Sequence, residues 1–192
     1  MRFKHLRRLL PIVAAVLVLI YLFQPQRLLL QQLFPRIYWE EVQAVAEAEK
    51  LDPYLLLAVM REESGFDAAA RSSAGAVGLM RLMPDTAAWL ASLRGEAYTE
   101  ADLLDPKRSI ELGGSYIAWL LRAYRGSTPC AVAAYNAGSG RVDGWLAEGV
   151  WDGTVEARRD IPYAETRGYL RRVLQSYAVY RYLYAGADFV WI

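Results

Sequence analysis

Apolar positions recur at helical spacing through most of the chain, and this pattern predicts a mainly helical domain. One helix is predicted to start at Asp52-Pro53, where an N-cap residue precedes a proline at the first helical position. Its apolar stripe, at i, i+3, i+4 and i+7, consists of Leu56, Val59, Met60 and Glu63. Glu63 therefore continues the buried face, whereas Glu62 points about 100° away, so the two carboxylates are not expected to share one site.

Five further helices are predicted from apolar spacing or from cap-plus-proline starts, at 39–50, 84–93, 105–124, 129–135 and 165–184. Between them, 72–78 is rich in turn residues and predicts a loop or a minor sheet. Asp67 is expected to cap the loop that follows the Ser64-Gly65 break. The alternation of apolar residues with glycines and acids over 145–151 predicts an irregular segment before Ile161.

The N-terminal segment has the pattern of a membrane-targeting sequence. An unbroken apolar run of 15 residues, 9–23, follows a basic tail at 1–8. This is typical of a signal peptide or a short membrane anchor, and the lack of a small-x-small cleavage pattern favours the anchor. The basic flank stays cytoplasmic, which predicts a single-pass protein with a stalk at 24–36 and a domain at 37–192 outside. The stalk is expected to lie either on the membrane surface or on the domain.

Composition excludes several kinds of chemistry. The chain has 192 residues, 55% of them hydrophobic, enough for one domain with a core. With His5 and Cys130 as its one histidine and one cysteine, a Ser-His-Asp triad or a metal site is hard to build, and no metal or cofactor is expected. Cys130 has small apolar neighbours and is expected to be buried. Beyond residue 36, 16 basic residues face 21 acidic ones, a formal charge of −5 that argues against nucleic acid as a partner.

Five motifs occur in a specific order: ES at 63–64, SSAGAVGLM at 72–80, MP at 83–84, AAYNAG at 133–138 and IPYAETRGY at 161–169. Over about residues 37–184, this series resembles the catalytic domain of the lytic murein transglycosylases, relatives of goose-type lysozyme. The resemblance implies a lysozyme-like α+β fold, mainly helical, forming a single compact domain with a substrate cleft. It also implies that the partner is peptidoglycan and that the membrane is that of a bacterial cell. Protein partners are not readable from the sequence.

Glu63 is the candidate catalytic residue. A carboxyl group half-buried against leucine and methionine has its ionised form disfavoured, so it is expected to remain protonated near neutral pH. The resemblance implies that Glu63 protonates the oxygen between N-acetylmuramic acid and N-acetylglucosamine, then accepts the proton of the muramic C6 hydroxyl, giving a 1,6-anhydro end. The alternatives are a hydrolytic goose-type lysozyme and a non-catalytic peptidoglycan-binding module.

The resemblance also assigns substrate-binding positions. Ser72 matches a serine near the N-acetyl group, and Met83 matches an apolar cleft contact. Tyr135 and Asn136 match a pair that lines the cleft beside the acid, and Glu165 matches a second carboxylate that shapes it. Each of four residues also has a purely structural interpretation: a turn for Ser72, core for Met83, a helix C-cap for Asn136 and a first-turn charge for Glu165.

Arg81 departs from the family pattern, which usually has glutamine after Gly-Leu-Met. Arginine only donates hydrogen bonds and is always charged. Arg81 is therefore expected either to bind a lactyl or peptide carboxylate of the substrate, or to pair with Glu62, Glu63 or Glu165. Pairing with Glu63 would lower the pKa of that carboxyl and weaken it as an acid. Glu62 itself stands where many relatives have glutamine.

Overall fold

The computed structural model describes residues 11, 13–19 and 25–187, and the chain divides into two units, 1–35 and 36–192. In the first unit, 13–19 is helical and helix α1 spans Pro25–Leu33, with Leu28 and Leu29 exposed. The predicted stalk is therefore largely helical. Among the described residues, no helix is long and apolar enough to cross a membrane. The predicted tail at 1–8 and part of the predicted membrane segment at 9–23 lie outside the described residues.

The second unit is built from helices of 9 to 18 residues. They are α2 Trp39–Glu49, α3 Pro53–Ser64, α4 Pro84–Leu93, α5 Pro106–Ala123, α6 Thr128–Ala137, α7 Ser139–Ala147 and α8 Ala164–Tyr180. Short 3₁₀ helices occur at Glu100–Leu103 and Glu156–Asp160, and a π-helical turn at Arg181–Ala185. The predicted helices at 39–50, 84–93, 105–124 and 129–135 are confirmed to within a few residues. The last predicted helix is α8 extended by the π-helical turn.

Helix α3 lies in the core and carries the candidate acid at its end. Its start is as predicted, because the Asp52 carboxylate accepts a hydrogen bond from Tyr54 N at 2.9 Å and Pro53 occupies the first turn. All six residues from Leu55 to Met60 are buried, and α3 packs against α8 and α2. The helix ends at Gly65, whose φ of 60° breaks the helical path. Glu63 therefore sits in the last turn of a buried helix, as its spacing indicated.

Helix α5 packs closely against the turn that contains Met80 and against α2, because two of its residues have no side chain. A Cβ atom at Gly113 would collide with Met80, and one at Gly114 would collide with Val45. Both glycines therefore let α5 approach its neighbours closely. The N-terminus of α5 is held by Asp105, whose side chain accepts from Arg108 N at 2.8 Å.

The turn-rich segment before α4 contains a small amount of β structure. Val77 makes isolated antiparallel bridges with Arg71 and Leu82, and the described residues contain no longer strand. Gly78 has a φ of 82°, and a side chain there would run into the Leu103 carbonyl. The glycine therefore permits close approach to the protein's own backbone.

One element differs from its prediction. Helix α7 was not predicted, and the segment 145–151, predicted to be irregular, overlaps only its last three residues; Val142 and Trp145 of α7 are buried three residues apart on one helical face. Two glycines within α7, at 140 and 144, weaken its helical signal in the sequence, and burial of the apolar face compensates for their low propensity. Cys130 is buried in α6, as predicted.

Candidate active site

All seven predicted site residues line one cavity of about 320 Å³ between the end of α3, the turn before α4, α6 and α8. They are Glu63, Ser72, Arg81, Met83, Tyr135, Asn136 and Glu165. The chain brings them together from four separate segments, so the cavity depends on the whole helical unit. Polar groups converge there on a single buried carboxyl, which is the usual arrangement of a ligand-binding site.

The Glu63 carboxyl is buried, with 12% of the side chain exposed. Burial raises its pKa from 4.5 to about 7, since desolvation disfavours the ionised form. The Tyr169 hydroxyl and then the Arg81 charge oppose this rise, Glu165 adds to it, and Arg172 opposes it more weakly. Desolvation outweighs the opposing groups, so Glu63 is poised to give and take a proton near neutrality.

Two nitrogen atoms of the Arg81 side chain contact Glu63. Its Nη1 donates to the Glu63 main-chain carbonyl at 2.9 Å, and its Nε lies 4.0 Å from Oε2 of the carboxyl. The residue adopts a left-handed backbone with φ of 43°, which is uncommon for a side chain of this size. Of the pairings considered for Arg81, the structure shows the one with Glu63. The expected lowering of the Glu63 pKa is present but smaller than the effect of burial.

Two tyrosines enclose the carboxyl. The Tyr135 hydroxyl donates to the Met80 carbonyl at 2.7 Å, which joins α6 to the Gly-Leu-Met turn. The Tyr169 hydroxyl is buried beside Glu63, without a hydrogen bond of standard geometry but close enough to favour the ionised form of that carboxyl. Burial, followed by the nearby Glu63 charge, raises the pKa of both phenols well above the ordinary value. Both hydroxyls therefore stay protonated near neutral pH.

Ser72 and Met83 lie on opposite ends of the turn that faces Glu63. The Ser72 hydroxyl accepts from Ala76 N at 2.9 Å, so its structural interpretation as a turn former is confirmed. The same hydroxyl keeps its proton to donate to a ligand, because that bond uses only its oxygen. Met83 is 42% exposed, so it is not a core residue. Its side chain is an apolar patch on the cavity wall.

Asn136 of α6 and Glu165 of α8 contact each other in the wall of the cavity. The Asn136 carbonyl oxygen accepts from the Thr166 hydroxyl at 2.7 Å, and its amide nitrogen donates to Glu165 Oε1 at 3.5 Å. Asn136 lies within α6, which ends one residue later and is capped by Gly138, so the C-cap interpretation is wrong. Glu165 is an exposed residue in the first turn of α8, which agrees with its structural interpretation.

Glu62 also lines the cavity, contrary to the expectation that it and Glu63 would not share a site. The helical rotation does turn Glu62 away from Glu63, but α8 packs close enough for the cavity to reach both. Glu62 is engaged there, because Oε1 accepts from the Ser176 hydroxyl at 2.7 Å and Oε2 from Arg172 Nε at 3.2 Å. It serves as the anion of an ion pair.

Tyr169 and Arg172 are cavity residues that the sequence analysis did not assign to the site. Tyr169 is the last residue of the motif at 161–169, and its side chain is buried. The signal that would have identified it is its position four residues after Glu165, one helical turn along the same face. Arg172 lies seven residues after Glu165, again on that face. Asp67 accepts from Ala69 N at 2.9 Å, which confirms its predicted role as a loop cap.

Comparison with known proteins identifies the family. Residues 40–155 match the family described as the transglycosylase SLT domain. The chain belongs to this family. The soluble lytic murein transglycosylase of Escherichia coli K12 is 34% identical over 159 residues, covering 80% of this chain and 24% of the relative. A membrane-bound lytic murein transglycosylase F of Pseudomonas fluorescens is 38% identical over 120 residues, covering 59% of this chain and 23% of the relative.

Solved structures agree with this assignment. The 70-kDa soluble lytic transglycosylase in complex with bulgecin A has a TM-score of 0.79 at 31% identity, covering 85% of this chain and 27% of that one. An inactive mutant of the Pseudomonas aeruginosa enzyme Slt has a TM-score of 0.75 at 32% identity, covering 83% of this chain and 26% of that one. This SLT domain chain thus spans about a quarter of the length of the relatives it matches.

Proposed function

We propose that the chain is a peptidoglycan lytic transglycosylase that cleaves the β-1,4 bond between N-acetylmuramic acid and N-acetylglucosamine. The observation that carries this proposal is the single buried carboxyl of Glu63, with a pKa of about 7, inside a cavity that can hold sugar. Relatives over most of the chain are lytic murein transglycosylases, which supports the same substrate. One acid that must both donate and accept a proton works best with a pKa near the operating pH.

The reaction needs one proton donor and no water. Protonated Glu63 gives its proton to the glycosidic oxygen, the C1–O bond breaks, and N-acetylglucosamine leaves with a free 4-hydroxyl. The carboxylate of Glu63 then takes the proton of the muramic C6 hydroxyl, whose oxygen forms a bond to C1. Glu63 ends protonated and the product is a 1,6-anhydromuramic end, so every proton is returned.

The surroundings of Glu63 suit this cycle. Between the two steps the carboxylate is charged in a buried site, and the adjacent Arg81 and Tyr169 stabilise that charge. Ser72 offers a hydroxyl to the substrate N-acetyl group, whose participation replaces a protein nucleophile. Met83 supplies an apolar surface, and Tyr135, Asn136 and Glu165 form the rest of the wall. Glu62 is neutralised by Arg172, which leaves Glu63 as the proton-transfer group.

Hydrolysis is the competing reaction, and the two products differ by one water. We expect digests of purified peptidoglycan by the full chain to contain muropeptides one water lighter than hydrolytic ones, measured by mass spectrometry. Glu63→Gln should lower the rate at least about 100-fold, because glutamine is nearly isosteric but cannot cycle a proton. Products with free reducing muramic ends would show a hydrolase, and near-parental turnover by Glu63→Gln would show that the acid is another residue.

Arg81→Gln tests the contact at the position where the family resemblance implies a glutamine. Removing the charge beside Glu63 raises the pKa of the acid, so the alkaline limb of the kcat/KM profile should move to higher pH. Arg81→Lys is the matched control, because it keeps a positive charge at the same position, and its limb should stay near that of the parent. Suppose instead that the alkaline limb of Arg81→Gln stays in place and that its KM rises for peptide-bearing strands but not for bare glycan. That result would show that Arg81 binds the substrate.

We also propose that residues 9–23 anchor the protein in the bacterial cell membrane, with 1–8 inside and the stalk and catalytic domain, 24–192, outside. The basic residues before an apolar run support this topology, and relatives include membrane-bound lytic murein transglycosylases. Protease added to intact spheroplasts should digest the region beyond residue 24. A mature protein whose first residue follows 23 would contradict the anchor.

A further inference from the structure

Arg172 is a second arginine in the active-site cavity, and its charge faces the space a glycan strand would occupy. We propose that Arg172 binds a carboxylate on the lactyl-peptide arm of the glycan, so that the cleft prefers arm-bearing strands to neutral ones. This inference rests on the proposed function, since it concerns the same cleft. It assigns to Arg172 a specificity role for the substrate.

The position of Arg172 is fixed by one of its nitrogens. Nε lies 3.2 Å from Oε2 of Glu62, and the other oxygen of that carboxylate accepts from the Ser176 hydroxyl at 2.7 Å. Glu62 is only 15% exposed, so it holds the arginine from the buried side. The Arg172 side chain is 49% exposed and lines the cavity. The Nε side of the guanidinium group is therefore held by Glu62, while the terminal nitrogens remain open to solvent.

The backbone beneath the guanidinium group also makes room for it. A Cβ atom at Gly168 would lie 3.2 Å from Arg172 Nη1, so the guanidinium rests against α8 one turn before its own residue. A larger residue at position 168 would push it aside. Glu62, itself held by Ser176, fixes the Nε side of the fork, and Gly168 leaves room for the rest, which reduces the conformational entropy lost when a ligand binds.

The outer nitrogens of Arg172 have no acceptor among the described residues. Arginine presents its donors in a planar fork that matches the two oxygens of a carboxylate. Arg81 differs in this respect, because its Nη1 is bonded to the Glu63 carbonyl and its Nε faces the Glu63 carboxyl. Arg172 is thus the cavity arginine with both terminal nitrogens available for a substrate anion, whereas one terminal nitrogen of Arg81 is already bonded.

Binding can be measured without turnover in the Glu63→Gln background by calorimetry on the full chain. Three ligands separate the possible contacts: chitotetraose, which has no arm; stripped glycan, whose muramic residues carry free lactyl carboxylates; and peptide-bearing glycan, whose carboxylates lie on the stem peptide. Adding Arg172→Gln to a chain that also carries Glu62→Gln, so that no unpaired carboxylate is left in the cavity, should raise the Kd of an anionic ligand about tenfold relative to Glu62→Gln alone, as loss of a charge-assisted bond does. The Kd for chitotetraose should change less than about twofold.

The pattern of loss identifies the anion. Weakened binding of stripped glycan assigns the contact to the lactyl carboxylate, and weakened binding of peptide-bearing glycan alone assigns it to the stem peptide. Arg171→Gln is the matched control, since it removes the same charge one residue away from a position that does not line the cavity. Arg172→Lys keeps the charge without the fork and should retain part of the preference.

The proposal would be overturned if the affinity for chitotetraose fell as much as the affinity for the anionic ligands. It would also be overturned if the affinity for both anionic ligands stayed unchanged. If Arg171→Gln lowered the affinity for the anionic ligands as much, the effect would be one of general charge, and this result would also overturn the proposal. The unmodified chain is tested separately for anhydro products. Absence of those products would refute the proposed function, while the calorimetry reports on Arg172 independently.

Discussion

The site depends on the desolvation of one carboxyl group. Glu63 lies in the last turn of a helix whose preceding apolar residues are buried, and the same packing that buries them withdraws the carboxyl from water. Arg81, Tyr169 and Arg172 all favour its charged form, and their combined effect is smaller than that of burial. The balance leaves a pKa near neutrality, where one group can serve as acid in one step and base in the next.

The rest of the fold maintains that balance. The hydrogen bond from Tyr135 to the Met80 carbonyl holds the turn that carries Arg81, and Gly113 lets α5 pack against the same turn. Helix α8 contributes Tyr169 and Arg172, and Arg172 neutralises Glu62. A second ionised carboxylate without a partner beside Glu63 would raise its pKa further and add repulsion. The Glu62–Arg172 pair prevents this, so a chain with Glu62 before its acid retains one dominant proton donor.

Local signals predicted much of this arrangement. The N-cap and apolar spacing of α3 were sufficient to place Glu63 at the end of a buried face, and the ordered motifs selected seven residues that meet in one cavity. Long-range packing was not predictable in the same way. The position of Glu62 in the cavity depends on how closely α8 approaches α3, and the partner of Arg81 depends on a left-handed backbone. Helix α7 was missed because its glycines mask a face that only tertiary burial stabilises.

The most direct test of this balance is the pKa of Glu63 itself, measured by carbon-13 NMR titration of its carboxyl in the full chain, with Glu63→Gln used to assign the signal. If burial outweighs the neighbouring cation and hydroxyl, the signal titrates with a pKa of about 7. A midpoint near 4.5, the value of an ordinary glutamate, would contradict the central role of desolvation and with it the use of Glu63 as both acid and base.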